Sequence, residues 1–153
     1  MTVTPQMAKA LRASYLNPNF PRVSIKKALT TITWEQANQK IEDYNTIAAL
    51  VFHTNYYIAG VLEILKGGAL NISDTFSFNA TLISSSKDWE LLKEKSFNYA
   101  QEFASTVERM NDTQLLKFSK AEKYGTWYRN LNGIVEHGYY HLGQIWLIKK
   151  QLL

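Results

Sequence analysis

Apolar residues recur along this chain at three- and four-residue intervals, the spacing that lines one face of a helix. They almost never alternate as a strand would. Residues 5–15 carry Met7, Ala8, Leu11 and Tyr15 at helical spacing. The stretch 17–21 then holds Pro18 and Pro21, which forbid a continuing helix, and 24–29 reads as a further short turn. The next segment is the longest. Thr33 is an N-cap with Gln36 in capping-box position, and the helix is predicted to run on to Leu65, where Lys66-Gly67-Gly68 stops it. Ala37, Ile41, Tyr44 and Ala48 face one way in its first half. From Ile47 onward it is apolar almost all round, as in a helix buried on most faces.

The polar stretch 71–86 reads as a loop. Ser85 or Ser86 caps a third helix over 87–110, with Trp89, Leu92, Phe97, Ala100, Phe103, Ala104 and Val107 as its buried positions, ended by Asn111-Asp112. Residues 113–128 keep no clear period. Leu115-Leu116-Lys117-Phe118 fits a short extended piece and Gly125 a turn. The last helix starts near Thr126 or Asn130 and runs to the C-terminus, with Ile134, His137, His141, Ile145 and Ile148 on one stripe and Gln144 at its edge. Without repeats or a dividing linker, three long helices and a short one predict a single all-α domain over 1–153, an up-down helical bundle.

Composition narrows the class. Hydrophobic residues make up 46% and charged residues 20%, as in a globular domain and not a disordered chain. Aromatics, at 13%, suffice for a core and the lining of a pocket. The absence of cysteine excludes disulfides, thiolate metal ligands and a cysteine nucleophile. The N-terminal residues have neither a basic start nor an apolar run, and His53, Asn55 and Glu63 interrupt the apolar second helix. No leader, no membrane span and a cytoplasmic location are therefore expected. The net charge is +4, but lysines and arginines are scattered, which favours a solvated basic surface over a nucleic-acid interface.

The candidate chemistry lies in the only three histidines. His137 and His141 stand one helical turn apart, and His53 lies in the apolar middle of the second helix. Facing helices of a bundle project side chains inward, so a pair from one helix can meet a third ligand from another. Three imidazoles with an open position are a common catalytic zinc arrangement. His53 alone reads more readily as a hydrogen-bonded core residue, and the His137–His141 pair reads equally well as core or as ligands; the joint pattern points to a metal. Gly138 and Gly143, on either side of His141, suggest close approach by a helix or ligand, although simple helix packing explains them equally well. Gln144 can reach back one turn to support His141, with Asn55 and Tyr140 as further supporting candidates. No catalytic acid or base is assigned: Glu136 points about 100° away from His137, and no His-Glu-x-x-His motif is present.

The run Gly133-Ile134-Val135-Glu136-His137-Gly138-Tyr139-Tyr140-His141-Leu142-Gly143-Gln144-Ile145 resembles the His-x-x-x-His-x-Gly-Gln-Ile signature of the DinB/YfiT-like superfamily. Residues 47–53 resemble that family's first-histidine segment, so the likeness spans nearly the whole chain. It implies a four-helix bundle, often dimeric, holding a divalent metal such as zinc or nickel on His53, His137 and His141. It also implies either metal-dependent hydrolysis or transfer of a small thiol, the metal turning the thiol into a thiolate nucleophile. The expectation is a metal-dependent S-transferase or hydrolase acting on a small molecule, without nucleic acid or membrane partners and as a homodimer. The rival reading is a non-enzymatic metal- or ligand-binding bundle.

Overall fold

The structure, a computed structural model, describes residues 2–17, 22–80 and 82–152. Among these the chain is all-helical: α1 (Thr4–Tyr15), α2 (Ile25–Leu29), α3 (Trp34–Asn38), α4 (Ile47–Leu65), α5 (Ser86–Glu108), α6 (Asp112–Leu115) and α7 (Trp127–Leu152). Short 3-10 turns lie at Asp74–Phe76 and Glu122–Tyr124. Of the proline-rich connector 17–21, only Asn17 is among the described residues. The extended piece expected over 115–118 is not a strand. Leu115 closes α6, and Phe118 makes one isolated antiparallel bridge to Thr126.

Most helix starts are written locally. Ser24, Thr33, Thr46, Ser85 and Asn111 each accept a backbone N–H from the first turn of the helix they precede. Helix α1 has no such cap of its own. The Asp112 carboxylate of α6 replaces it, accepting from Val3 N at 2.7 Å and Thr4 N at 2.9 Å.

The helix expected to run from Thr33 to Leu65 is two helices. The Thr33–Gln36 capping box forms as read, but α3 ends at Asn38, Gln39 is extended and Glu42 is left-handed at φ 45°. Asn38, Asp43 and Asn45 compete with helical backbone bonding, and Asn38 Nδ2 donates instead to the Ile83 carbonyl at 2.6 Å. Thr46 then caps a fresh start. The break leaves Ala37 and Ala48 buried and turns Tyr44, expected on the inner face, 51% out to solvent. At its other end α4 stops as expected. Gly67 takes φ 89° and donates to Ile64 O, while Gly68 donates to Glu63 O, the paired bonds of a Schellman motif.

Helices α1 and α4 each pack on both α5 and α7, and α2 rests on α7. Leu50, Ile58 and Leu62 of α4 meet Phe103, Ala104 and Val107 of α5 and Leu131, Leu142 and Ile145 of α7 in one core. Burying each large side chain is worth about 1.5–3 kcal/mol. By length and composition α4 is also apolar enough to cross a membrane, and more than half of it is buried inside the fold. Lys149, read as part of a scattered basic surface, is buried and donates from Nζ to the Ala28 carbonyl at 2.7 Å, closing the end of α2. Gly138 is where α7 approaches α1: a Cβ there would lie 2.8 Å from the buried Tyr15 ring. Gly143 differs, because it faces open space.

Candidate metal centre

His53 projects from the middle of α4, and His137 and His141 from successive turns of α7, which packs against it. One ligand-capable nitrogen from each ring lies within 4.8 Å of the others. His137 Nε2 is 3.1 Å from His53 Nε2 and 3.0 Å from His141 Nε2. Two nitrogens bonded to one ion at about 2.0–2.1 Å are at most about 4.2 Å apart. Both spacings fall inside that limit.

The remaining ring nitrogens decide what the centre can hold. His53 Nδ1 is 3.3 Å from the Ser77 carbonyl, and His141 Nδ1 is 2.8 Å from Gln144 Oε1. Both oxygens only accept, which favours the tautomer with the proton on Nδ1 and a lone pair on Nε2 in each ring. A single proton on His137 could satisfy only one of its two neighbours. Otherwise lone pair faces lone pair at hydrogen-bond distance, an arrangement a divalent cation relieves. The donor set therefore fits a metal ion.

Charge on the rings is disfavoured too. Burial, then the neighbouring His141 and His53, pushes the His137 pKa down to about 4. His53 is lowered by burial and by His141, partly opposed by the Ser77 carbonyl and Asp74, and His141 is lowered by burial against the opposing pull of Gln144. Neutral imidazole is the metal-binding form.

The loop after α4 straps the His53 side of the centre. Ile72 sits where a side chain on Gly60 would be, and Ser73 N donates to Tyr56 Oη at 2.9 Å. The Tyr57 hydroxyl hydrogen-bonds Asp74, and Phe78 stacks on the His53 ring at 4.0 Å and 13°. Tyr57 stands edge-on to His53 and His137, with ring centroids 5.1 and 5.0 Å away.

The other residues singled out by sequence fall differently. Gln144 meets His141 directly, and Tyr140 lies edge-on to the His141 ring at 4.9 Å while remaining 65% exposed. Asn55 is buried away from the histidines. It lines a separate cleft with Lys95 and Tyr99, and its Oδ1 has no hydrogen-bond partner among the described residues. Two residues on from His53 is about 200° around a helix, which explains the separation. Sequence reasoning missed Tyr57, Asp74 and Ser77. Tyr57 stands one turn after His53 and could have been read from spacing; Asp74 and Ser77 arrive by a loop that carries no period.

A cleft of about 530 Å³ opens beside His137 between α4, α7, the loop after α4 and the segment before α7. No family model, curated protein or solved structure matches this chain. The family resemblance therefore rests on its own histidine motif.

Proposed function

We propose that this protein is a metal-dependent enzyme of the DinB/YfiT-like kind. In this reading α1, α4, α5 and α7 form that family's up-down bundle, and His53, His137 and His141 hold one divalent ion, zinc or nickel. The observation that carries the reading is the convergence of three Nε2 atoms, with acceptor oxygens of Ser77 and Gln144 against the Nδ1 atoms of His53 and His141. When bound, the ion lowers the pKa of a ligated thiol or water, supplying a nucleophile at neutral pH.

The chain's own residues do the rest. Gln144 and the Ser77 carbonyl hold two imidazoles in the ligating tautomer, and Phe78 covers one face of His53. Thiol transfer is favoured over hydrolysis, because among the described residues no carboxylate hydrogen-bonds the histidines, and Asp74 on the neighbouring loop is bound to Tyr57. In that reaction a small thiol gives up its proton to solvent. Its sulfur bonds to an electrophilic carbon, and the displaced group leaves with the bonding electron pair. The same lack of a free base favours, as second reading, a bundle that binds a metal without catalysis.

Metal content per chain by mass spectrometry, on wild type and His141→Ala purified without a histidine tag, tests the centre. About one ion per chain, lost in the variant, is expected for a three-histidine site. No ion and no uptake of zinc or nickel would overturn it. Turnover of monochlorobimane only with added thiol and metal separates transfer from ester hydrolysis, and no turnover with either leaves the binding bundle.

A further inference from the structure

We propose that the cleft beside His137 takes a small molecule with an apolar body and an anionic group, the anion being read by Lys120 and Arg129. Its size, about 530 Å³, is that of a small-molecule site and too small for a folded partner. The walls are apolar: Val61 and Ile64 from α4, Trp127 and Ile134 from α7, with Leu70 and Ile72 closing one side. Among the described residues the charged lining residues are both cations, and no carboxylate lines the cleft.

Those cations have capacity to spare. Arg129 makes one long contact, 3.4 Å to Glu136, between side chains that are 67% and 59% exposed. Such a pair is worth little in water and leaves most guanidinium donors unused. Lys120 makes no ion pair among the described residues. Asn130 is committed, since its Nδ2 donates to the Tyr124 and Thr126 carbonyls at 2.8 Å. It shapes the wall while the two cations remain for the ligand. His137 lies in the same lining, so an occupant has one end against the histidine centre.

The inference rests on the metal-centre reading for what happens to the ligand, but binding itself does not need the ion. The test uses 2-naphthoate and its uncharged isostere 2-naphthamide, titrated calorimetrically into EDTA-treated protein, with the Trp127 indole resonance locating the ligand. Naphthoate is expected to bind about tenfold more tightly than the amide, a charge-assisted contact discounted for exposure. The Lys120→Gln/Arg129→Gln double variant should abolish that preference. Gly133→Leu should weaken both ligands at least about tenfold by filling the cleft. A Cβ at Gly133 meets only the flexible end of Arg129, at 3.1 Å, so the fold should survive, as circular dichroism would verify.

Equal affinity for the two ligands, a preference that survives the double variant, or no binding by naphthoate would overturn the proposal. So would naphthoate binding that appears only with metal, which would place the anion on the ion. A preference found in a protein that takes up no metal would leave the cleft standing and remove the metal centre.

Discussion

Gly138→Ala and Gly143→Ala make the same chemical change five positions apart on α7, and the structure predicts opposite results. Alanine gains about 1 kcal/mol over glycine in a helix interior at either site. At Gly143 a Cβ meets nothing within 4 Å, so the variant should be more stable by most of that amount. At Gly138 a Cβ would lie 2.8 Å from Tyr15 Cε2 and 2.9 Å from Cζ and Oη. Carbon contacts are comfortable at about 3.5–4.0 Å. Tyr15 is only 2% exposed, so its ring cannot swing into solvent, and α1 and α7 must separate. Overpacking of this kind costs about 1–3 kcal/mol. Gly138→Ala should therefore fall between neutral and about 2 kcal/mol destabilised, below Gly143→Ala by the whole overpacking cost. Urea unfolding followed by circular dichroism, in EDTA to remove metal linkage, resolves such a gap: 1 kcal/mol moves the midpoint by about 0.5 M for a typical slope. Equal stabilisation in both variants would refute the claim that Gly138 sets the distance between the two helices.

Gln144→Leu removes the acceptor of the His141 Nδ1 proton and should weaken zinc affinity about 10- to 100-fold, as seen when a metal-bound histidine loses its partner. Competition against a chromophoric chelator measures this, and an unchanged affinity would show that Gln144 does not orient the ring. Zinc at one hundred times its dissociation constant should stabilise the fold by about 2.7 kcal/mol. A thermal scan of His53→Ala should show none of that gain. Asp112→Asn should lower the melting temperature at neutral pH by weakening the cap of α1. Backbone N–H groups of Val3 and Thr4 hold the Asp112 pKa below its ordinary value. Its contribution is thus fully present above the ordinary carboxylate pKa and lost as pH falls through the lowered one. The gap between wild type and variant should close in acid; a gap independent of pH would argue against the cap.

The parts of the site set by helix period were legible in advance. A four-residue step put His137 and His141 together, and a three-residue step brought Gln144 to His141, because both follow from the pitch of one helix. Helix existence was legible for the same reason, down to the Ser85 cap and the Gly67-Gly68 stop. The break between α3 and α4 was not, since Ala37 and Ala48 remain apolar and buried across it while the chain between them changes direction. Glycines mark where a side chain is missing without saying on which side a neighbour stands. Gly138 met Tyr15, and Gly143 met nothing. Ser77 and Asp74 reach the centre through loop geometry that depends on Ile72 seating against Gly60, a tertiary event that no local pattern encodes.

The pairing of residue 53 with residue 137 has a topological consequence. The two positions are 84 residues apart in the chain, which has no cysteine with which to build a covalent cross-link. An ion held by both would act as a staple across more than half of the polypeptide. By the chain-entropy relation for cross-links, keeping a loop of that length closed in the unfolded ensemble would cost about 4.5 kcal/mol, so the ion is released on unfolding. Unlike a disulfide, such a staple needs no oxidant to form and no reductant to open. Access to free metal would then set how stable the folded chain is.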